Sequence, residues 1–461
     1  MGSRRIDTAR IHSLNQNGTV EGRYVLYWMQ QSQRGQMNHA LEYAIRRANG
    51  LGLPVIVGFG VMDGYPEANL RHYRFMIEGL HEVAATLHRR GVGFVLRHGD
   101  PPEVALELGA DAALIVCDVG YLRHQKRWRQ RVAEEAAREV VQVESDVVVP
   151  VETTSGKAEF AARTIRPKIH RQLKRFLDPL TPTPVRHSAR DLRLIGLDAY
   201  DPEGLLARLD IDRSVRPVGM FPGGNREARR VLGRFLRGHL SRYSASRNQP
   251  QTSDVSHMGK YLHFGHISPV YVANRVTEAQ AAPEDVNAYL EELIVRRELA
   301  INFVHFTPNY DRFECLPDWA RRTLEEHRKD PRPHRYTPQQ LEDAETHDPY
   351  WNAAMREMRY TGYMHNYMRM YWGKKILEWS ASPEQAHRAA LTLNNKYFID
   401  GRDPNSYAGV NWVFGLHDRP WAERAIFGKV RYMAESGLRR KADPDAYVAK
   451  VERLVAEAAS E

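Results

Sequence analysis

The chain has 461 residues, of which 42% are hydrophobic and 27% are charged, and this composition is typical of a globular protein and excludes a disordered or fibrous one. A mean hydropathy of -0.56 and the lack of a long apolar run exclude a membrane-spanning helix, and the two cysteines are too few for a disulfide framework or a thiolate metal cluster. The 66 lysines and arginines outnumber the 57 aspartates and glutamates, and the resulting net charge of +9 favours a polyanionic partner.

Short apolar runs alternate with helical stretches between residues 24 and 150. The runs begin at Tyr24, Pro54, Gly93 and Ala113 and at VVQVESDVVVPV, and helices are predicted near 37–48, 71–90, 102–108 and up to Arg138. This alternation is typical of a parallel, doubly wound sheet. The turn GFGVMDG at 58–64 lacks the glycine spacing of a dinucleotide-binding fingerprint, so we do not predict NAD binding. Residues 1–150 are therefore predicted to form a Rossmann-like α/β domain.

A looser segment, residues 151–224, follows and contains the Pro- and Gly-rich stretches DPLTPTPV and PVGMFPGG, which are typical of a connection. Helices are then predicted at REARRVLGRFLRGHL and over 285–303, 350–379, 383–396 and 444–459. The stretch 393–421 is rich in Gly, Pro, Asn and Asp and is predicted as a set of loops. The predicted fold class is α/β plus all-α, with a Rossmann-like parallel-sheet domain joined by a long connection to an all-helical domain at 225–461.

Several enzyme classes lack their signature motifs in this chain. There is no G-x-x-x-x-G-K-[ST], G-x-S-x-G, H-E-x-x-H or C-x-x-C motif. His263 and His266 are three residues apart but have no neighbouring ligands of other types. We therefore interpret them as structural or hydrogen-bonding histidines and predict no metal site.

Charged and aromatic residues concentrate in the helical part. Glu292 and Arg296 lie one turn apart among apolar residues, so they are either a surface ion pair or buried groups that need a partner or a ligand. Five of the eight tryptophans fall between residues 351 and 421. An aromatic stripe is more often core packing than a redox device, but here bases such as Arg369 lie among the tryptophans. Bases and aromatic rings together can hold phosphates and stack on an unstacked base.

Five motifs, in order along the chain, carry a resemblance to a known family. They are YWMQQSQR at 27–34, SHMGKYLHFGHISP at 256–269, EELIVRREL at 291–299, MREMRYTGYMHNYMRMYWGKKILEW at 355–379 and LNNKYFIDGRDPNSYAGVNWVFGLHDRPW at 393–421. Together they resemble the class II cyclobutane pyrimidine dimer photolyases of the photolyase and cryptochrome superfamily. The resemblance covers nearly the whole chain and implies a Rossmann-like antenna domain followed by a helical flavin domain.

The resemblance implies that the helical domain binds FAD, which is reduced in the active form. The implied cofactor-binding residues are Tyr243, Val255, Ser256, His257, Met258, Gly259, Asn366, Arg369, Asp400 and Gly401. Among them, Arg369 and Asp400 resemble the family's ion pair beside the flavin ring. Gly259 and Lys260 depart from the family's S-x-L-S-P pattern, so a hydroxyl group is missing here. The sequence leaves open whether the N-terminal domain binds a second, antenna chromophore, and which one.

The resemblance also assigns residues to the reaction. The implied catalytic residues are Glu292, Asn394, Met370 and Trp412. Glu292 would hydrogen-bond the dimer and Asn394 would favour the reduced flavin. Trp412 and Met370 would pack against a dimer that has been flipped out of the duplex, as enzymes that act on a base require.

The remaining residues implied by the resemblance serve electron transfer and DNA binding. Trp372, Trp351 and Trp379 resemble, in that order, an electron-transfer chain from the flavin to the surface. The implied DNA contacts are Arg296, Arg419, Trp421 and Arg431, and Trp28, Trp128 and Trp319 are assigned to packing.

We therefore expect light-driven repair of pyrimidine dimers by electron transfer from excited, reduced FAD, which is a carbon–carbon lyase activity. A cryptochrome-like blue-light photoreceptor is one alternative, against which the short stretch after Asp445 argues. A non-catalytic DNA-binding flavoprotein is the other, against which Glu292, Asn394 and Trp412 argue. The expected partner is UV-damaged DNA, bound by a monomer that needs no protein partner and no membrane. We expect it in the cytoplasm, or in the nucleus if the source is eukaryotic.

Overall fold

The structure is a computed structural model that describes residues 6 to 460. Residues 1–5 of the predicted first domain, and residue 461, lie outside the described residues. The N-terminal part contains a sheet of six strands, which are β1 (Ile11–Ser13), β2 (Tyr24–Trp28), β3 (Val55–Val61), β4 (Gly93–His98), β5 (Ala112–Asp118) and β6 (Val140–Val143).

The strands are ordered β1-β6-β5-β2-β3-β4, and all neighbours are parallel except β1, which pairs antiparallel with β6. Every residue of β2, β3 and β5 is buried, because helices cover both faces of the sheet. The predicted Rossmann-like sheet is confirmed. The sequence did not predict β1, whose three residues are too few to show an alternating pattern.

The connections between the parallel strands contain the helices α1 (His39–Leu51), α2 (Leu70–Arg90), α3 (Pro101–Gly109) and α4 (Arg123–Glu135). The Asn38 side chain caps α1 by accepting a hydrogen bond from the Leu41 backbone N–H at 3.1 Å. Gly52 ends this helix with a φ of 73°, a left-handed conformation that glycine adopts without strain. The helix therefore runs past Gly50, where the sequence predicted its end.

The predicted connection at 151–224 contains α5 (Val151–Thr154), α6 (Ala162–Phe176) and α7 (Pro202–Arg208). The sequence did not predict α6, because Pro167 lies inside it and normally indicates a helix boundary. The apolar face of α6 is buried in the same cluster as Phe235 of the helical part. Further along, the chain returns to the sheet, where Leu197 bridges Leu96. The domain boundaries at 150 and 224 stay predictions.

The C-terminal part is helical. Its α-helices are α8 (Asn225–Gly238), α9 (Tyr243–Ser246), α10 (Gly259–His263), α11 (Pro269–Thr277), α12 (Pro283–Leu290), α13 (Arg297–Phe306), α14 (Asp318–Glu326), α15 (Pro338–Glu342), α16 (Pro349–Thr361), α17 (Asn366–Trp379), α18 (Pro383–Tyr397), α19 (Pro404–Val413), α20 (Glu435–Lys441) and α21 (Pro444–Ala459). Short 3₁₀ turns are present at Thr8–Arg10, Leu240–Arg242 and Phe313–Cys315. None of the helices described between residues 6 and 460 combines the length and the apolar composition needed to cross a bilayer.

Two predictions in this part are corrected by the structure. The single helix predicted over 350–379 is two helices, because Gly362 ends α16 with a φ of 66° and α17 begins only after His365. The stretch 393–421, predicted as loops, contains α19. Its start is fixed by Asp403, whose side chain accepts from the Asn405 N–H at 2.8 Å, and by a proline in the first turn.

Between α12 and α13 the backbone forms a π-helical turn, Glu291–Arg296. A π turn brings together residues that are five apart rather than four. Arg296 Nε accordingly donates to Glu291 Oε1 at 3.1 Å, and Glu292 pairs instead with Arg247 at 2.9 Å. The interpretation of Glu292 and Arg296 as an ion pair is therefore wrong.

Glu298 on α13 joins the helical part to the sheet. Its carboxyl oxygen accepts hydrogen bonds from the backbone N–H groups of Val148 at 2.5 Å and Val149 at 3.3 Å, which follow β6. The side chain is almost fully buried. Burial raises the pKa of Glu298 to about 8, although the Val148 N–H and the charge of Arg297 oppose this shift.

We expect Glu298→Gln to flatten the pH dependence of stability. The folded state holds a proton on Glu298 up to a pH of about 8 and the unfolded state only up to about 4.5, so this contribution to stability is lost as the pH rises through that window. The glutamine carbonyl can still accept from Val148 but has no charge to desolvate. The difference between the melting temperatures of Glu298→Gln and the wild type should therefore increase, in favour of the variant, by about 2–4 °C from pH 6 to pH 9. If the melting temperatures of the two proteins changed in the same way over this pH range, the raised pKa of Glu298 would be contradicted.

Candidate active site

Helices α13, α17, α18 and α19 enclose a cavity of about 300 Å³ in the helical part. The predicted site residues in its wall are Arg296, Asn366, Arg369, Met370, Trp372, Asn394 and Trp412. The sequence assigned these residues to the cofactor, the dimer, electron transfer and DNA, and the structure brings them together although they span more than a hundred positions.

A smaller cavity of about 90 Å³ adjoins the first, because Arg369, Asn405 and Ser406 line both. Gly259 and Asp400 lie in its wall and touch. A Cβ atom at Gly259 would lie 2.7 Å from Asp400 Oδ2, too close for any side chain. The glycine that departs from the family pattern therefore leaves room for Asp400.

Arg369 and Asp400 form an ion pair between the two cavities. Arg369 Nη2 donates to both carboxylate oxygens of Asp400, at 3.0 and 3.3 Å, and its Nε donates to the Met364 carbonyl at 3.0 Å. The guanidinium carbon lies 3.8 Å from the centroid of the Phe398 ring. Hydrogen bonds and stacking thus fix the orientation of the arginine, and a charged pair of fixed geometry lies at the junction of the cavities.

His263 and Asp403 stand at the far side of the smaller cavity. His263 Nδ1 lies 3.0 Å from Asp403 Oδ2 and donates to it. Burial opposes ionisation of Asp403, but the hydrogen bond and charge of His263 outweigh it and lower the pKa of this carboxyl. His263 is therefore a hydrogen-bonding histidine, as is His266, whose Nδ1 accepts from the Gly224 N–H at 3.0 Å.

Asn394 on α18 is positioned by a chain of amide hydrogen bonds. Its Nδ2 donates to Asn395 Oδ1 at 3.0 Å, and Asn395 Nδ2 in turn donates to Glu67 Oε2 of the N-terminal part at 2.7 Å. Gly401 packs directly against the backbone of Asn394, because a Cβ atom at position 401 would lie 2.9 Å from the Asn394 carbonyl oxygen. Asn394 and Gly401, which the sequence assigned to catalysis and to cofactor binding, are therefore in contact.

The segment predicted to hold phosphates lies outside the walls of the two cavities, apart from Gly259. Ser256 Oγ accepts from the Tyr289 hydroxyl at 3.0 Å, and the Tyr289 ring lies 5.2 Å from that of Tyr243. His257 has a φ of 55°, which is unusual for a residue other than glycine. Of its neighbours, Val255 is half-buried and Met258 is buried in the apolar core.

The predicted catalytic residue Glu292 is not in the wall of the larger cavity. Its carboxylate is about one-third exposed and is held by Arg247, which also stacks near Tyr243 with its guanidinium carbon 6.0 Å from the ring centroid. The sequence did not predict Arg247, because it is 45 positions from its partner. Glu292 and Tyr243, assigned to different roles, are thus connected through one arginine.

Trp412 on α19 forms one wall of the larger cavity, and two basic side chains lie against its ring. Lys374 Nζ lies 4.9 Å from the Trp412 ring centroid and donates to the Val413 carbonyl at 2.5 Å. Burial lowers the pKa of Lys374 to about 7, although the charge of Asp418 opposes this. On the other side, the guanidinium carbon of Arg431 lies 5.7 Å from the Trp412 ring centroid.

Arg431 continues outward to a surface group that we call the Trp421 cluster, consisting of Arg419, Trp421 and Arg431. The guanidinium carbons of Arg431 and Arg419 lie 4.9 and 5.3 Å from the Trp421 ring centroid. Trp421 is 39% exposed, although large aromatic side chains are usually buried. Three of the four residues predicted to contact DNA therefore form one cationic and aromatic surface that reaches the cavity at Trp412. The fourth, Arg296, lies in the wall of the larger cavity.

The predicted tryptophan chain is contiguous. Trp372 lines the larger cavity, Trp351 Nε1 donates to the Trp372 carbonyl at 3.0 Å, and the rings of Trp351 and Trp379 lie 5.5 Å apart. Trp379 is only 3% exposed, so the prediction that the chain reaches the surface there is wrong. The more exposed Tyr336 and His347 lie 5.3 and 5.4 Å beyond it.

His417 in the wall of the larger cavity was missed by the sequence reasoning. Its Nδ1 donates to the Phe160 carbonyl at 2.8 Å, and its φ is 58°. Burial lowers its pKa to about 4. A positive φ at a histidine leaves no clear pattern in one sequence, so its position in the motif next to Trp412 was the only available signal.

The chain is similar in sequence and in fold to known proteins. The DNA photolyase family model matches residues 25–186. Over 98% of its length the chain is 50% identical to the whole of the deoxyribodipyrimidine photo-lyase of Methanothermobacter thermautotrophicus. The chain belongs to the DNA photolyase family. The predicted family is thus confirmed, and its class II subdivision stays a prediction.

Two further comparisons place the chain within the family. It is 38% identical to the deoxyribodipyrimidine photo-lyase of Potorous tridactylus, over 98% of this chain and 86% of that one. The crystal structure of a photolyase from Sulfolobus tokodaii with two FAD molecules superposes with a TM-score of 0.70 at 15% identity, covering 92% of this chain and 89% of that one. The predicted combination of an α/β part and a helical part is therefore the fold of the family.

Proposed function

We propose that this protein repairs cyclobutane pyrimidine dimers in DNA with light, using bound FAD. The observation that carries the proposal is the larger cavity, whose wall contains Trp412, Met370, Asn394 and Arg369 and whose Trp412 is joined to the Trp421 cluster by Arg431. An apolar aromatic wall suits the two covalently linked pyrimidines of a dimer, and an adjoining cationic surface suits the phosphates of the same strand.

The residues of the two cavities fit FAD. In the wall of the larger cavity, Trp372 Nε1 and His417 Nε2 are buried and have no hydrogen-bond partner within the described residues, as expected if a polar ligand completes the site. The smaller cavity adds the guanidinium groups of Arg297 and Arg369. A ligand with a flat ring whose edge carries both hydrogen-bond donors and acceptors matches these groups.

We assign the cofactor contacts accordingly. Arg369, Asp400, Asn366, Asn394 and Gly401 would surround the flavin ring. Tyr243 and the segment at 255–259 would take the phosphates, supported by the fixed backbone around Ser256. When bound and reduced, FAD supplies an electron to the dimer on excitation by blue or near-ultraviolet light and takes it back after the cyclobutane ring has opened.

The chain's own residues orient the dimer and exclude water. Trp412 and Met370 would pack on its two pyrimidines, and the side chains of Lys374 and Arg431, which lie against the Trp412 ring, hold that ring in place. Glu292 would share a proton with the dimer through its carboxyl group, and Arg247 would donate a hydrogen bond to a dimer carbonyl oxygen. Trp372, Trp351 and Trp379 would deliver electrons that keep the cofactor reduced, and their contacts support this order.

The deciding experiment is illumination of the reduced protein with an oligonucleotide that contains one pyrimidine dimer. Repair that needs light, together with about one FAD per chain recovered after denaturation, would support the proposal. Flavin reduction by light without repair would favour a photoreceptor, and dark DNA binding alone would favour a non-catalytic flavoprotein. A colourless protein that takes up no FAD would contradict all three. We propose further that it acts as a monomer in the compartment that holds the genome.

Arg431→Ala is expected to weaken DNA binding and to flatten its salt dependence. Arg431 joins Trp412 to Trp421, and it forms no ion pair with a carboxylate among residues 6 to 460, so its charge is available to a phosphate. Each lost phosphate contact lowers the slope of log K against log salt by about 0.9 for duplex DNA. Binding should be titrated between 50 and 200 mM salt. An unchanged slope would place Arg431 away from the DNA backbone.

We also propose where a second chromophore binds. A cavity between the sheet and the helical part is lined by Gln30, Tyr65, Trp128 and Arg402, and by His263, which also lines the smaller cavity. Both amide atoms of Gln30 are buried without a partner within the described residues. Asp118 holds this loop by accepting from the backbone N–H groups of residues 30–32. A flat ligand with a donor and an acceptor on one edge would satisfy Gln30.

Gln30→Leu should therefore remove the second chromophore and leave FAD bound. Leucine keeps the volume but lacks both hydrogen-bonding groups, and a pocket that loses such a pair typically loses more than tenfold in affinity. The chromophores released from the two proteins should be compared by chromatography and absorbance. Gln130→Leu on the exposed side of α4 is the control. Equal chromophore content in both variants would contradict this site.

A further inference from the structure

The chain between α5 and α6 borders the larger cavity, although it lies in the connection to which the sequence assigned no function. His417 lines the cavity and donates to the Phe160 carbonyl at 2.8 Å. Since His417 has a lowered pKa of about 4, it is neutral at physiological pH and keeps the Nδ1 proton in this bond. The backbone of Phe160 is thus hydrogen-bonded to a residue of the cavity wall.

Phe160 is held outward by a rigid backbone. Asn302, which is fully buried on α13, accepts from the Glu159 N–H at 2.7 Å and donates to the Lys157 carbonyl at 3.0 Å. On the other side of Phe160, Ala161 is buried at the start of α6. The Phe160 side chain itself is 48% exposed. Because the backbone on both sides is pinned, the ring cannot turn into the core, and its exposure is built into the fold.

The charges around Phe160 are unpaired. Lys157 and Arg163 are exposed, and neither forms an ion pair among residues 6 to 460. The guanidinium carbon of Arg163 lies 5.9 Å from the Phe160 ring centroid. By contrast, the next bases along α6 are neutralised, since Arg166 pairs with Glu291 and Lys168 pairs with Glu159. Lys157 and Arg163 therefore place unpaired positive charge on both sides of Phe160 in the sequence.

We propose that residues 157–163 form a second DNA-binding arm, in which Phe160 stacks on a base that flanks the dimer and Lys157 and Arg163 take phosphates of the same strand. An exposed aromatic ring between free cations is the combination that single-stranded nucleic acid requires. Extrusion of the dimer unstacks its neighbours and so offers a base face to the ring. This inference rests on the proposed function, because it takes damaged DNA as the ligand.

The test compares the affinities of Phe160→Ala, Arg163→Gln and wild type for an oligonucleotide with one dimer. Phe160→Ala should bind about five- to tenfold more weakly with an unchanged salt slope, because stacking carries no charge. Arg163→Gln should lower the slope by about 0.7–0.9. Tyr200→Ala, which removes an exposed ring of similar accessibility (54%) beside His81, should bind as the wild type does.

A second measurement removes the DNA side of the contact. Two oligonucleotides are used, with an abasic site on the 5′ or the 3′ side of the dimer, and for one of them Phe160→Ala should bind as tightly as the wild type. Phe160→Trp should keep or improve the wild-type affinity for the oligonucleotide that has no abasic site. Wild-type affinity of Phe160→Ala, or an equal penalty on all oligonucleotides, would overturn the second arm. If the wild type neither bound nor repaired the dimer, the proposed function itself would be contradicted. If the wild type repaired the dimer and Phe160→Ala bound DNA equally well, only the second arm would be contradicted.

Discussion

Trp372→Phe is expected to abolish photoreduction of the oxidised cofactor and to leave repair by pre-reduced protein unchanged. Phenylalanine fills most of the same space but gives up an electron far less readily than an indole. Trp372 lines the cavity, and its carbonyl accepts the hydrogen bond from Trp351, so it is the first step of the proposed chain. The repair electron starts on the cofactor and does not pass through this residue.

Two assays on one sample separate these effects. The absorbance of the oxidised protein is followed under blue light with an external reductant, and repair is measured after chemical reduction in the dark. Trp28→Phe is the matched control, because it truncates an equally buried indole in β2, remote from the cavity. Photoreduction should persist in the control. If Trp372→Phe lowered photoreduction and repair to the same extent, Trp372 would have a packing role only.

The sheet could be predicted from the sequence because burial on both faces imposes a simple pattern. The run at β3 is continuously apolar, and so is the run at β5 as far as Asp118 at its end. Single elements that break a local rule could not be predicted. Pro167 is tolerated within α6 because the helix is held by tertiary packing, and Gly362 splits a continuous helical pattern because its φ is positive.

The candidate site shows the same division. Motifs identified most of its residues, since Asn394 and Trp412 lie within one stretch that resembles a known family. The pairings among them depend on geometry that motifs do not contain. Arg247 is the partner of Glu292 because the π turn rotates Glu292 away from Arg296. Phe160 belongs to the rim of the cavity only through a hydrogen bond from a residue 257 positions away.

Glu292→Ala is expected to lower the repair yield per absorbed photon several-fold while it weakens dimer binding only slightly. Binding draws on many phosphate contacts, whereas the charge that develops on the dimer draws on this one group. A hydrogen bond to a charged species contributes on the order of 1.5–3 kcal/mol, which corresponds to about a ten- to hundredfold change in the rate of ring opening. Because electron return competes with ring opening, the yield falls without vanishing.

The structural alternative is that Glu292 only neutralises Arg247. That pair is about one-third exposed on each side, so its loss would cost about 0–1 kcal/mol of stability. Glu291→Ala is the matched control, because it removes the adjacent carboxylate from the same π turn and breaks pairs with Arg166 and Arg296. Repair yield at saturating DNA, melting temperature and FAD content should be measured on both variants. A lower yield in Glu292→Ala alone places its carboxyl group at the dimer, whereas equal yields, with any loss confined to melting temperature or FAD content, restrict it to holding Arg247.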